Sequence, residues 1–260
     1  MSLIIKPIRA FSDNYIWVLA AASSDLVAVV DPGDARPVLE WLQRSGKHLG
    51  AIMITHFHSD HTGGIAGLLE AFPEIPVYGP AREQIAGITH RLSEGDEVEL
   101  GFLSAAFSVL DVPGHTAGHI AYLGHDVLFC GDTVFAAGCG RVFTGTFEQL
   151  ANSLLRISRL PPETRLYCAH EYTLDNIGFA KWVEADNPAL LQRESEVLAK
   201  AEKGIPTVPS TLAIELETNP FLRLTEQTVV AAAQQHMAEL SDDPVAVFTA
   251  LRQWKDREYD

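Results

Sequence analysis

Residues 55–64 read THFHSDHTGG and place His56, His58, Asp60 and His61 within six positions, behind the apolar run Ala51–Ile54. In extended chain, residues two apart point the same way, so His56 and His58 can address one cation. Asp60 and His61 fall where Gly63 and Gly64 turn the chain toward a helix, so they can face the same pocket from another side. Glycines there allow tight backbone geometry. One histidine on a loop is ordinarily solvated or satisfied by a hydrogen bond. Four donors packed behind a strand favour a metal site.

Such a motif needs ligands from elsewhere, and three more apolar runs end in one. Phe107–Val112 runs into Pro113-Gly114-His115, Val127–Cys130 into Gly131-Asp132, and Leu166–Cys168 into Ala169-His170. A sheet gathers strand ends along one edge, where a crevice can form. His56, His58, Asp60, His61, His115, Asp132 and His170 together exceed the three or so protein ligands of one catalytic zinc. They suit two ions roughly 3.5–4 Å apart that share a carboxylate and a water-derived oxygen. Nitrogen and oxygen donors without thiolate fit zinc, with iron and manganese as alternatives.

The remaining candidates read differently. His48, His90, His125 and His236 lack this context and are expected on the surface. His119, four residues after His115, is either a hydrogen-bond partner behind a ligand or a structural residue. Cys168 invites a Cys–His nucleophile with His170, but the apolar alternation favours a small buried side chain.

The elements that must carry these residues alternate over the first two-thirds of the chain. Strand-like runs at Leu26–Val30, Ala51–Thr55, Val77–Tyr78, Val98–Leu100, Phe107–Val112, Ile120–Leu123 and Val127–Cys130 are interleaved with helices at Pro37–Arg44 and Ile65–Phe72. This pattern predicts an α/β protein with a mixed sheet or two sheets. From Leu174 onward strand signals vanish, and helices are expected at Leu174–Glu184, Ala189–Glu202, Thr225–Ala238 and Val245–Tyr259. The last is announced by Asp242-Asp243 and by Pro244 in its first turn. We therefore expect a first domain over residues 1–173 and a helical second domain over 174–260.

With 34 acidic against 19 basic residues, the 260-residue chain carries a net charge of −15. Such a chain repels nucleic acid and anionic membranes unless a local cationic patch intervenes. The N-terminal stretch is broken by Lys6, Arg9 and Asp13 and makes a poor signal peptide. No run approaches a membrane span of roughly 20 apolar residues. Three cysteines without a CxxC pair suggest a reducing compartment and no disulfide framework. A cytoplasmic protein, monomeric and with a small-molecule substrate, is the expectation.

With these residues assembled, the chain resembles the metallo-β-lactamase superfamily, whose mark is HxHxDH followed by separate His, Asp and His ligands. Within it, GCGR at 138–141, HEYT at 170–173 and VPSTLAIELETNPFLR at 208–223 resemble the glyoxalase II family, the hydroxyacylglutathione hydrolases. DNYIWVL, VVDPGD and PGHTAGH extend the resemblance nearly end to end. It implies an αββα sandwich of two mixed sheets followed by an α-helical domain that completes a glutathione groove. It also implies one ion on His56, His58 and His115, a second on Asp60, His61 and His170, and Asp132 as the bridge.

The same resemblance assigns glutathione contacts to Arg141, Tyr172, Arg252 and Lys255. It marks one departure, because the family often has tyrosine where Phe143 stands. Arg252 and Lys255, three apart on a helix, could reach one anionic group from the same side. A solvated helix face is their plainer reading.

The implied reaction is hydrolysis of S-D-lactoylglutathione to glutathione and D-lactate, the second step of methylglyoxal detoxification. Hydroxide generated from a water shared by the two metals attacks the thioester carbonyl, with Asp60 orienting it or briefly taking its proton. A thiolate leaving group with a pKa near 8.5 needs no strong general acid. The rivals are a single-iron glutathione persulfide dioxygenase, a β-lactamase or phosphodiesterase of the same fold, and a non-catalytic metal- or glutathione-binding module. The helical residues 174–260 argue against a β-lactamase, and the isoelectric point of about 5.0 against a nuclease.

Overall fold

The computed structural model describes residues 3–237 and 239–259. The chain divides into two compact units, Met1–Asp111 with Thr116–Gly131, and Val112–His115 with Asp132–Asp260.

The first unit is built on a six-stranded sheet in the order β1 (Ile4–Ala10), β2 (Asn14–Ala20), β3 (Leu26–Val30), β4 (His48–Met53), β5 (Val77–Pro80) and β6 (His90–Leu92). The first three pair antiparallel and the rest parallel, so the sheet is mixed. β2 is buried along its whole length, as its unbroken apolar run requires of a central strand. β1 lies at the edge and carries Lys6, Pro7 and Arg9 exposed, residues that discourage further strand pairing. A second set, β7 (Glu97–Leu100), β8 (Ala105–Asp111), β9 (Ile120–Gly124) and β10 (Val127–Gly131), is antiparallel throughout.

Helix α1 (Ala35–Ser45) starts at Asp34, whose side chain accepts from the Arg36 N–H, and stops at Gly46 in a left-handed conformation. Its inward residues Val38 and Leu42 join Val27, Val29, Ile52 and Ile54 in one core cluster. The short α2 (Ser59–Thr62) and α3 (Ile65–Ala71) follow β4. A Cβ on Gly33 would lie 1.8 Å from the Asp60 carbonyl oxygen, and one on Gly64 would lie 2.4 Å from that of Pro32. The glycines of PGD and HTGG therefore let the β3 and β4 strand ends meet backbone to backbone.

The second unit holds the hairpin β11 (Val134–Phe135) with β12 (Gly138–Cys139), then α4 (Phe147–Ile157), β13 (Arg165–Cys168), α5 (Thr173–Val183), α6 (Pro188–Ala201), β14 (Ser210–Thr211), α7 (Leu212–Thr218), α8 (Gln227–His236) and α9 (Pro244–Trp254). A π-helical turn, Lys255–Tyr259, continues α9. All four expected C-terminal helices form within a few residues of their expected limits, although Ala238, the expected end of the third, lies outside the described residues. The expectation that strands cease after Leu174 needs correction, because β14 pairs antiparallel with β13. Two residues are too short a strand to leave a period in the sequence.

Candidate metal centre

The first unit brings together the donors of THFHSDHTGG. β3 and β4 pair in parallel with Val30 opposite Met53, so Asp31 lies beside the residues that follow β4. Its Oδ1 accepts from the Thr55 N–H and its Oδ2 from the Thr55 hydroxyl, both at 2.8 Å. The same Oδ2 is 3.1 Å from His61 Nδ1, and Thr55 Oγ1 is 3.0 Å from His56 Nδ1. With a proton on each Nδ1, His56 and His61 present Nε2 lone pairs outward, the tautomer a metal ligand needs. His56 Nε2 is 3.0 Å from His58 Nδ1, and His61 Nε2 is 3.5 Å from Asp60 Oδ2. Asn14 Nδ2 donates to Asp60 Oδ2 at 3.0 Å and fixes that carboxylate. His119 is fully buried and stacks on His56 with centroids 4.6 Å apart, so it backs a ligand ring.

The second unit brings together His115, Asp132 and His170. Asp132 Oδ2 lies 3.5 Å from His115 Nε2 and 3.4 Å from His170 Nε2, a near-symmetric placement. His115 Nδ1 is 2.7 Å from the Arg141 carbonyl, which fixes its tautomer in the same sense. Tyr172 stacks on His170 at 4.7 Å, and Phe135 meets the edges of both rings. Phe143 is 61% exposed, with its ring edge-on to His115 at 5.1 Å.

The hairpin between Asp132 and Arg141 is held from α7 and its C-cap. Asn219 Nδ2 donates to the Phe135 and Gly138 carbonyls, and Glu215 accepts the Ala137 N–H at 2.8 Å. Arg193 pairs with Glu215 and bonds Thr218 and Ser210, all buried. This gives the VPSTLAIELETNPFLR segment a physical task.

The cationic candidates are arranged differently from the expectation of one shared anion on a helix face. Arg252 and Lys255 are 1% and 4% exposed, so neither belongs to a solvated face. Arg252 donates to Cys139 O at 3.1 Å and to Asp256 Oδ1 at 2.9 Å, whereas Lys255 pairs with Asp175 at 3.4 Å. Lys255 is also where α9 gives way to the π-helical turn. Arg141 is half exposed, 3.8 Å from Asp256.

Other readings resolve simply. Cys168 is buried and its thiol is pushed up to about 12, chiefly by burial. His48, His90, His125 and His236 lie on the surface, the last stacked on Trp254. Three supporting residues carried no signal that the spacing of donors could give: Asn14, Asp31 and Thr55. The first two stand in DNY and VVDPGD, motifs that the resemblance had already marked.

A tetrahedral ion with donors at about 2.0–2.1 Å sets its ligand atoms about 3.3 Å apart. The His56–His58, His115–Asp132, His170–Asp132 and Asp60–His61 separations, 3.0–3.5 Å, match that edge. Among the described residues, the His and Asp side chains suited to holding cations are these seven.

Comparison with known proteins agrees with this donor chemistry. Residues 11–170 match the model of the metallo-β-lactamase superfamily, and this class defines the fold. Residues 171–258 match the hydroxyacylglutathione hydrolase C-terminus. Hydroxyacylglutathione hydrolases of Nitrosomonas eutropha and Alkalilimnicola ehrlichii are 52% and 53% identical to the chain, over 97% of it and 98% of each relative. The chain belongs to the hydroxyacylglutathione hydrolase family, metal-dependent hydrolases of that superfamily. A crystal structure of TTHA1623 in a di-iron-bound form is 27% identical, with a TM-score of 0.58, over 84% of this chain and all of that one. Fold and donor sets together support a dinuclear divalent metal site. No helix among the described residues is long and apolar enough to cross a membrane.

Proposed function

We propose that the chain hydrolyses 2-hydroxyacylglutathione thioesters, S-D-lactoylglutathione foremost, with two divalent ions as cofactors. The observation that carries the reading is the Asp132 carboxylate oxygen at 3.5 and 3.4 Å from His115 and His170, the placement expected of a bridging ligand. In this reading His56, His58 and His115 hold one ion, and Asp60, His61 and His170 hold the other. Residues 1–173 supply the donors together with Arg141, Phe143 and Tyr172, and 174–260 add Arg252 and Lys255 to the glutathione contacts. Zinc is the first candidate; iron is the next, given the di-iron form of TTHA1623.

When bound, the two cations generate a nucleophile from water near neutral pH and polarise the thioester carbonyl. Asp60, fixed by Asn14, orients that water or accepts its proton. Thr55 holds His56 in the ligating tautomer, and the Asp31 carboxylate beside His61 Nδ1 favours a proton there. Arg141, Tyr172, Arg252 and Lys255 offer charge and hydrogen bonds to the tripeptide, and Phe143 an apolar ring. The departing thiolate, with an ordinary pKa near 8.5, leaves without a strong acid.

We take the active form to be a cytoplasmic monomer, which mass measurement in solution checks for its oligomeric part. The reaction is tested by following thiol release from S-D-lactoylglutathione before chelation, after it, and after metal is restored, with elemental analysis of each sample. Turnover that survives complete metal removal overturns the reading. Oxygen consumption with glutathione persulfide, without thioester cleavage, would replace it with the dioxygenase.

A further inference from the structure

One buried carboxylate of the first unit has no part in the chemistry above. Glu83 lies in the connection between β5 and β6 and is 6% exposed. Its Oε1 accepts the Thr116 hydroxyl, in a short bond, and the Gly118 N–H at 3.2 Å. The Phe57 N–H lies close enough to favour the carboxylate, whose second oxygen, Oε2, has no hydrogen-bond partner among the described residues. Arg91 Nη1 donates to the Glu83 carbonyl at 3.1 Å and anchors the connection to β6. A Cβ on Gly118 would come within 2.6 Å of Glu83 Cγ, so only glycine admits this approach.

Phe57 stands between His56 and His58, and Thr116 directly follows His115. We propose that Glu83 is a positioning residue for the metal centre: its carboxylate holds the segment that continues from His115 and lies against the backbone between His56 and His58. The proposal rests on the dinuclear reading of those histidines.

The physical argument is one of satisfaction. Thr116 and Gly118 lie on irregular backbone, where no strand ladder pairs their donors. A buried donor that loses its acceptor must find water or move. Here movement shifts the chain carrying the ligands by tenths of an ångström, which metal geometry registers. Burial raises the Glu83 pKa from its ordinary 4.5, against the Thr116, Gly118 and Phe57 bonds that lower it. Burial outweighs them, so these donors offset only part of the cost of placing a carboxylate there.

The test uses the full chain stripped of metal and titrated with Co2+, reading affinity by chelator competition and ligand geometry by the visible absorption band. Glu83→Gln keeps an acceptor at Oε1 and is expected to bind within about 3-fold of the unaltered protein. Glu83→Asp withdraws the acceptor by one methylene and is expected to bind roughly 10- to 100-fold more weakly, with an altered band. Glu83→Ala follows Glu83→Asp if it folds, and Glu83→Asp carries the test if it does not. Unaltered affinity and band in Glu83→Asp, whatever its melting temperature, overturns the positioning role while leaving the metal reading intact. Failure of the unaltered chain to bind Co2+ overturns both.

Discussion

The Nδ1 atom of His61 lies 3.1 Å from Asp31 Oδ2, with both side chains buried. Asp31 also takes both Thr55 donors, and Thr55 in turn meets His56 Nδ1. One carboxylate therefore packs against an imidazole of one proposed ligand set and, through Thr55, holds an imidazole of the other. Asp31 has a left-handed backbone, φ 51°, which asparagine tolerates better than most residues. Asp31→Asn should keep the fold yet weaken metal binding by roughly 10- to 100-fold, as loss of such partners does elsewhere. Chelator competition on the purified variant measures this, and affinity equal to the unaltered protein's would remove Asp31 from the site.

Asp132 is the bridge in the proposed centre, and Asp132→Ala tests that directly. Its removal should lower the bound metal from two ions toward one and abolish thioester hydrolysis. Elemental analysis and a thiol-release assay on one sample give both quantities. Two ions per chain with ordinary turnover would sink the dinuclear model.

The proposed ligands were legible because they follow the ends of four apolar runs, and runs of that length report buried strands. Asp31 was not, since its role arises from the parallel register of β3 and β4 across 24 residues of sequence. Glu83 was invisible for the same reason: its partners Thr116 and Gly118 lie more than 30 positions away on another element. β1 escaped notice because Lys6, Pro7 and Arg9 interrupt its alternation. Helix α4 carried a readable signal, with Thr146 and Gln149 forming a capping box, but its apolar stripe follows a glycine-rich stretch that reads as loop. α7 spans seven residues, barely two turns, so periodicity could not separate it from a loop. The burial of Arg252 and Lys255 was equally hidden, because a helical stripe shows which residues share a face and not what covers it.

Phe143 stands where the family resemblance leads one to expect a tyrosine. Phe143→Tyr restores a hydroxyl on an exposed ring beside His115. A hydrogen bond of about 0.5–1.5 kcal/mol to the tripeptide corresponds to roughly 2- to 10-fold in affinity. KM for S-D-lactoylglutathione should fall by that factor with kcat little changed. A KM that stays fixed, or a change confined to kcat, would place the tripeptide away from this ring.

Arg193 and Glu215 form a buried pair whose acid also holds the Ala137 N–H of the β11–β12 hairpin. Removing only the cation strands a buried carboxylate, a change that commonly destabilises by about 3–5 kcal/mol. Arg193→Met should therefore show a large loss of stability in urea denaturation. Its kcat under native conditions should fall more than its metal content, because the hairpin leads from Asp132 to Arg141. Stability within about 0.5 kcal/mol of the unaltered protein would mean that the pair contributes nothing net.

Cys168 stands two residues before His170, the one arrangement here that could be mistaken for a thiol nucleophile. Burial pushes its thiol up to about 12, against backbone hydrogen bonds at Ala136 and His170 that lower it. A group with that pKa is protonated throughout the neutral range, so almost no thiolate forms below about pH 10. Cys168→Ala should accordingly leave the pH profile of thioester hydrolysis unchanged between pH 6 and about 9, with at most a small loss of stability from the missing sulfur. If the proposed imidazole ligands hold the metal, the profile of the unaltered chain should fall at low pH as protons displace it. Loss of activity in Cys168→Ala at full metal content, or iodoacetamide inactivation of the folded protein through this residue, would return the thiol to the reaction.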